Sequence, residues 1–190
     1  MTVGSVMHTE TNAAAIVKRV RGLIRDVPDF PKPGIVFKDI TPLLCDPAGL
    51  SLAVELLTQP FRNQRVDLVA GAESRGFIFG TAVARNLSAG FVPIRKPGKL
   101  PAEVRKAEYE LEYGVDSIEI HVDSVREGQH VLMVDDLLAT GGTMGACCEL
   151  VEGLGGRIVG VAFLVELDFL HGREKLSKYP LHSVFRFDGE

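Results

Sequence analysis

Apolar residues return every three or four positions between Ala13 and Val27, at Ile16, Val20, Leu23, Ile24 and Val27, and this spacing predicts a helix. Pro28 to Gly34 carries three prolines and a glycine and predicts an irregular connection. Asp46-Pro47 reads as a cap followed by a first-turn proline, opening a helix that runs to about Leu57. Val66 to Ala70 is a short apolar run of strand length, Gly71 to Gly76 a loop, Phe77 to Leu87 a helix and Phe91 to Ile94 a second strand. Strand, helix and strand at this spacing predict a parallel crossover.

The pattern then changes. Arg95 to Glu103 is basic, contains two prolines and a glycine, and is expected to be mobile. Apolar and polar residues alternate over Tyr109 to Tyr113 and again at Ile118, Ile120 and Val122, predicting an antiparallel hairpin around Gly114, inserted in a parallel sheet. Core character returns with a strand at Val131 to Val134, a helix after Thr143, a strand at Ile158 to Val165 and a short last strand over Ser183 to Phe187. No repeat or linker interrupts the chain. The expected organisation is one domain over 1–190, with an extension at 1–11 too polar to order, a small hood from about 12–45 and 166–190, and a lid at about 96–115.

Within this pattern, Val131 to Thr143 carries the most chemistry. A buried strand ends in two adjacent acids, Asp135 and Asp136, and Ala139-Thr140-Gly141-Gly142-Thr143 leads into a helix. In open α/β sheets ligands bind beyond the carboxyl ends of the strands, and a glycine-rich turn into a helix N-terminus offers backbone N–H groups to a phosphate. The paired acids can hold sugar hydroxyls or a hydrated magnesium ion. Together they predict a site for a phosphorylated sugar.

Composition narrows the alternatives. A chain of 190 residues, 46% hydrophobic and 24% charged, is enough for one full core. The net charge of -4 gives no indication of nucleic-acid binding, and an anion site must then be built locally. No apolar stretch reaches the roughly 20 residues of a membrane span, and the N-terminus lacks a secretory pattern, so no membrane partner is expected. The three cysteines, Cys45, Cys147 and Cys148, lack Cys-x-x-Cys spacing and read as reduced, packed side chains of a cytosolic protein.

Further loops converge on the same chemistry. Glu73-Ser74-Arg75-Gly76 follows a strand, and the guanidinium of Arg75 matches diphosphate oxygens; the plain alternative is an arginine on a solvated helix start. Arg95-Lys96-Pro97-Gly98-Lys99 is either a solvated basic turn or a set of cations that closes over diphosphate. Glu110 to Gly114 is either an exposed hairpin face or a lid that brings a carboxylate and a phenol to the substrate. Pro33 to Asp39 is either an irregular connection with an apolar anchor or a slot in which Phe37 stacks on a flat heterocycle while the backbone at Val36 and Lys38 bonds its edge.

Taken in order, these segments resemble the adenine phosphoribosyltransferases, a branch of the type I phosphoribosyltransferase family. The resemblance rests on Phe30-Pro31-x-Pro33-Gly34-Ile35-Val36-Phe37-Lys38-Asp39-Ile40, on Ser74-Arg75-Gly76-Phe77, and on Arg95-Lys96-x-Gly98-Lys99-Leu100-Pro101. Leu111-Glu112-Tyr113-Gly114, the Asp135–Thr143 loop and Leu164-Val165-Glu166-Leu167 complete it. It covers nearly everything after Asp29. The chain departs from the family at residues 1–11, at Lys38, where relatives often have arginine, and at Arg105-Lys106-Ala107-Glu108, where the lid is more charged than usual.

The resemblance implies an α/β type I phosphoribosyltransferase fold: a mainly parallel sheet flanked by helices, with a hood and a flexible β-hairpin lid. It implies transfer of the phosphoribosyl group from 5-phosphoribosyl-1-pyrophosphate (PRPP) to adenine in purine salvage, with Mg2+ held mainly by PRPP oxygens, in a cytoplasmic homodimer. Ala139, Thr140, Gly141, Gly142 and Thr143 would bind the 5′-phosphate, and Asp135 and Asp136 the ribose. Ser74, Arg75, Lys96 and Lys99 would take the diphosphate, with Arg95 reaching a neighbouring subunit and Tyr113 closing over the site. Val36, Phe37, Lys38 and Leu167 would form the base pocket, and Glu112 would be the catalytic acid/base. The alternatives are a transferase for hypoxanthine, guanine or xanthine, or a regulator that senses PRPP.

Overall fold

The computed structural model describes residues 14–110 and 115–189; the expected N-terminal extension, 1–11, lies outside them. Contacts divide the chain into two units that meet between Leu56 and Leu57.

In the first unit, helix α1 covers 14–21 and is shorter than the periodicity predicts. Gly22 follows it, and Arg25–Pro28 forms strand β1, antiparallel to β2 at Val36–Asp39. Val27 thus belongs to a strand rather than the helix. The ladder sets Asp26 opposite Lys38 and Arg25 opposite Asp39, and both pairs form ion pairs, at 2.8 and 2.5 Å. Cross-strand charge pairs and a ladder replace the extra helical turn that a glycine disfavours. The proline-rich connection is irregular as expected, with a cis Phe30–Pro31 bond and Gly34 at φ +87°. A short helix α2, Thr41–Cys45, precedes α3, Pro47–Thr58. Asp46 caps α3 as its sequence predicts: its Oδ1 accepts the N–H of Gly49 at 2.5 Å.

In the second unit, β3 (Leu68–Ala72), α4 (Arg75–Leu87) and β4 (Gly90–Ile94) make the expected parallel crossover. The hairpin is β5 (Val104–Glu110) and β6 (Val115–His121). It is not inserted in the main sheet. It forms its own two-stranded sheet, joined to the segment after β4 by a bridge between Arg95 and Glu119. The chain continues through β7 (His130–Leu138), α5 (Gly142–Gly153), β8 (Arg157–Leu167), a 3-10 turn at Asp168–Leu170, α6 (Gly172–Lys175) and β9 (Leu181–Phe187). Among the described residues the main sheet is five-stranded and parallel, in the order β4-β3-β7-β8-β9. The C-terminal residues expected in the hood therefore complete this sheet with β9.

The strand order reverses between β3 and β7, because β4 follows β3 on one side and β7 lies on the other. Such a switch point opens a crevice at the carboxyl ends. The strands part early: β3 pairs with β7 only from Leu68 to Ala70, yet stays with β4 through Ala72. The core beneath is apolar, with Val69, Val131, Leu132, Met133, Val161, Phe163 and Leu164 fully covered. Cys147 and Cys148 are buried in α5, whereas Cys45 is exposed and departs from the packed cysteine expected of it; all three are free.

Replacing the α3 cap tests the local reading. Asp46→Ala is expected to lower unfolding stability by about 1 kcal/mol, measured by urea denaturation. The exposed Arg19–Asp46 contact, at 3.4 Å, adds little to that figure.

Candidate active site

Asp135 and Asp136 are not beyond the end of β7, as the apolar run predicts, but inside it. The strand keeps its register with β8 through Asp135–Phe163, Leu137–Val165 and Leu138–Glu166. Both acids are thereby carried past the last β3–β7 pair, into the crevice. The turn into α4 closes over them. A Cβ at Gly71 would lie 3.0 Å from the Gly76 carbonyl oxygen, and one at Gly76 would lie 2.8 Å from Asp135 Oδ1. Only glycine permits that approach, and the Glu73–Ser74 bond within the turn is cis.

The resulting pocket of about 290 Å³ is lined by Ser74, Arg75, Lys96, Asp135, Asp136, Ala139, Thr140, Gly141, Gly142 and Thr143, all expected from the sequence, together with Glu73, Tyr109 and Met144. The loop from Ala139 turns into α5 through Gly141 at φ +77°. No side chain caps α5 and no acid sits in its first turn. The N–H groups of its first turn have no partner within the helix by geometry, and the positive end of its dipole is left uncompensated. That end suits an anion.

Asp136 is buried, and its Oδ2 accepts Arg75 Nε at 3.0 Å. Asp135 Oδ1 accepts the Asp136 N–H at 2.9 Å. Burial, then the charge of Asp136, pushes the Asp135 carboxyl well above the ordinary carboxylate range. Burial also raises Asp136, with the Arg75 guanidinium pulling the other way. Among the described residues no group of three or more His, Cys, Asp or Glu side chains forms a metal cage. The acid pair offers hard oxygen donors on a pocket wall, which fits a hydrated magnesium ion sharing its coordination with ligand oxygens.

The basic segment divides. Lys96 lines the pocket, its Nζ paired with Asp116 and 3.1 Å from the Tyr109 hydroxyl. Burial works against its charge, but the Asp116 and Tyr109 hydrogen bonds outweigh that and raise its pKa. Arg95 and Lys99 do not line the pocket; they bind Glu73, at 2.8 and 2.5 Å. Burial would raise the Glu73 carboxyl, yet hydrogen bonds from Lys99 and Arg95 leave it below the ordinary range. Glu119, also buried, accepts the Gly98 N–H at 3.0 Å and fixes the turn. Glu73, Tyr109, Asp116 and Glu119 were not singled out from sequence. A signal existed for Glu73, as the acid opening the Ser74-Arg75-Gly76 turn; the others depend on hairpin placement.

Of the residues expected around a base, Val36, Phe37 and Lys38 belong to the first unit and Leu167 to the second. In the first unit Phe37 packs edge-on against Phe30, ring centres 5.2 Å apart, and with Val27 and Asp39 they line an apolar pocket of about 270 Å³. Hydrogen bonds from Thr41, then Arg25, hold the Asp39 pKa at about 2, so this pocket has an ionised rim. Lys38 does not line it; its Nζ is taken by Asp26. Val36 starts β2, and Leu167 ends β8 in the second unit. Glu112 and Tyr113 fall outside the described residues.

The chain is similar in sequence and in fold to known proteins. The profile of the phosphoribosyl transferase domain matches residues 43–186. An adenine phosphoribosyltransferase of Nitrosococcus oceani is 58% identical over 171 residues, which cover 90% of this chain and 100% of that protein. The crystal structure of adenine phosphoribosyltransferase from Thermoanaerobacter pseudethanolicus is similar with a TM-score of 0.88 at 53% identity, over 90% of this chain and 99% of that one. The Saccharomyces cerevisiae enzyme, solved with adenine and an imino-altritol bisphosphate, gives 0.86 at 40% identity, over 90% and 99%.

The acid pair makes a pH-dependent prediction. Asp135 holds its proton more tightly in the folded chain than at the ordinary value of 3.8. It therefore subtracts stability as pH rises from about 4 through its raised folded-state value. Asp135→Asn removes that group and keeps an oxygen for the Asp136 N–H. It is expected to stabilise the ligand-free protein at pH 8 by ~1 kcal/mol and to have no effect near pH 4. Thermal melts at both pH values read the difference; equal shifts at both would refute the buried-acid account.

Proposed function

The chain belongs to the phosphoribosyltransferase family and, within it, to the adenine phosphoribosyltransferases, and on that premise we propose that it transfers the phosphoribosyl group of PRPP to adenine, giving AMP and pyrophosphate. One observation carries the reading: a single pocket at the sheet's switch point combines the half-buried Asp135 and the buried Asp136, an uncapped helix N-terminus behind a glycine-rich loop, and the cations Arg75 and Lys96. These are the groups that a sugar carrying phosphate at one end and diphosphate at the other requires.

In this reading Ala139, Thr140, Gly141, Gly142 and Thr143 hold the 5′-phosphate, through first-turn N–H groups and the threonine hydroxyls. Asp135 and Asp136 accept hydrogen bonds from the ribose hydroxyls, which favour the ionised carboxylates against the burial that raises their pKa. Ser74, Arg75, Lys96 and Lys99 receive the diphosphate; Lys99 leaves Glu73 to do so, and Arg95 reaches a neighbouring subunit's site. Mg2+ would be held mainly by PRPP oxygens, with Asp135 and Asp136 as acids of the same pocket, and would supply charge neutralisation for the leaving group.

The C1–O bond to diphosphate breaks with the electron pair leaving on oxygen, while adenine N9 forms the new bond to C1. Positive charge develops on the ring, as in glycosidases, and the carboxylates beside the ribose stabilise it. Preorganised donors of this kind contribute several kcal/mol each in other enzymes. Glu112 manages the proton at adenine N7, and Tyr113 closes the lid and excludes water. Val36, Phe37, Lys38 and Leu167 contact the base.

We also read the protein as a cytoplasmic homodimer of purine salvage. The free, buried Cys147 and Cys148 support a reducing compartment. No described helix is long and apolar enough to cross a membrane. Light scattering should return twice the chain mass of 20.6 kDa.

Pyrophosphate release from PRPP and magnesium, compared for adenine, hypoxanthine and guanine, tests the reaction. Release with adenine alone is expected. Release with the oxopurines would overturn the base assignment, and PRPP binding without release would make the protein a sensor. Glu112→Leu is expected to lower kcat by ~10²–10⁴ with PRPP affinity kept; unchanged turnover would remove Glu112 from the mechanism.

A further inference from the structure

Behind the phosphate loop, away from the pocket, a second turn touches it backbone to backbone. A Cβ at Gly141 would lie 2.5 Å from the Gly172 carbonyl oxygen, and a Cβ at Gly172 would collide with the Ala139 carbonyl and lie 2.9 Å from the Gly141 nitrogen. Neither position tolerates a side chain without movement of the loop. His171, just before Gly172, is itself left-handed at φ +53°. The contact is fixed from the far side by Arg173, whose Nε and a terminal nitrogen donate to Glu166 Oε1 and Oε2 at 2.8 and 2.6 Å, fork on fork. Glu166 is 1% exposed. It sits opposite Leu138 in the β7–β8 ladder, and Leu138 is the residue before the loop. Ladder, ion pair and glycine contact thus close a ring around Ala139–Gly141.

Burying a carboxylate for an ion pair adds little stability, since a well-packed apolar pair often does as well. What a bidentate pair does supply is fixed geometry. The loop it serves holds adjacent glycines, Gly141 and Gly142, whose backbone loses more freedom than any other on ordering. A loop of this composition keeps a binding shape only when something outside it enforces that shape.

We infer that Gly172, held by the Arg173–Glu166 pair, is a brace that presets the 139–143 loop for the 5′-phosphate. These are positioning residues; none lines the phosphate pocket. The inference rests on the reading of that loop as the 5′-phosphate site.

The test is titration calorimetry on the full chain with ribose 5-phosphate and, separately, pyrophosphate, for Gly172→Ala, Arg173→Lys and Thr143→Ala. Losing one charge-assisted hydrogen bond to phosphate weakens binding roughly ten- to hundred-fold. Gly172→Ala is expected to weaken ribose 5-phosphate by at least ~10-fold and leave pyrophosphate unchanged. Arg173→Lys, which keeps the charge but not the fork, is expected to fall between it and the unaltered protein; it carries the test alone if Gly172→Ala does not fold. A purely structural role would lower the melting temperature and leave both affinities of the folded protein intact, overturning the brace. Equal weakening of both ligands would overturn it too. If Thr143→Ala loses ribose 5-phosphate and Gly172→Ala does not, the brace alone fails. If neither variant affects it, the loop assignment fails and the brace with it.

Discussion

The site depends on an unequal pair of ladders on β7. On one side β3 stops pairing after Ala70–Met133; on the other, β8 stays in register through Leu138–Glu166. One neighbour leaves and the other persists, so β7 projects two acids into a crevice while its backbone remains hydrogen-bonded. A free loop could not hold Asp135 and Asp136 at that depth, because buried carboxylates repel each other and disfavour their own charged forms. The sheet imposes the position, and Arg75 relieves part of the cost at Asp136. The raised carboxyl pKa values are the remainder of that cost, which in the proposed reaction ribose hydroxyls and a divalent cation relieve.

Charge elsewhere in the site is balanced locally, as a chain of net charge -4 requires of an anion site. Arg95 and Lys99 share Glu73, and Lys96 rests on Asp116. Paired in this way, several cations lie close together without the repulsion that would disperse them. Each pair is partly exposed and individually weak, so in the proposed reaction an incoming diphosphate, with more oxygens and more charge, displaces a carboxylate without a large barrier. The acids that sequence reading passes over are thus what makes the basic segment compatible with a folded, ligand-free chain.

The legible parts of the sequence were those where local pattern and tertiary demand coincide. The Asp135–Thr143 string, the Asp46 cap and the β3-α4-β4 crossover each follow from spacing or a single residue's chemistry. The illegible parts were decided by pairing at a distance. Helical spacing over Leu23 to Val27 lost to a ladder with Val36–Asp39 that no window of neighbours contains. The apolar run of β7 ends at Val134, but its hydrogen bonds do not, because β8 rather than side-chain polarity sets the strand's end. Glu73 reads as a solvated charge until Arg95 and Lys99 are brought beside it. Gly172 reads as an ordinary turn glycine; its meaning lies in the carbonyl of Ala139, more than thirty residues earlier in the chain.

Departures from ordinary folding rules gather around one spot. A carboxylate with a raised pKa, an uncapped helix start, left-handed residues at Gly141 and His171, and a buried Glu166 carboxylate paired with Arg173 all lie at the carboxyl ends of β7 and β8 or the turns that follow them. Elsewhere the second unit largely follows its local preferences, with apolar strands, parallel register and a covered core, and its departures, such as left-handed Ser88 and buried Glu119, are scattered rather than gathered. Folding alone would select against each departure, so their coincidence is better explained by a shared task than by separate accidents. The sheet behind them supplies the stability that lets this one edge remain polar, tightly turned and suited to the proposed sugar, with phosphate at one end and diphosphate at the other.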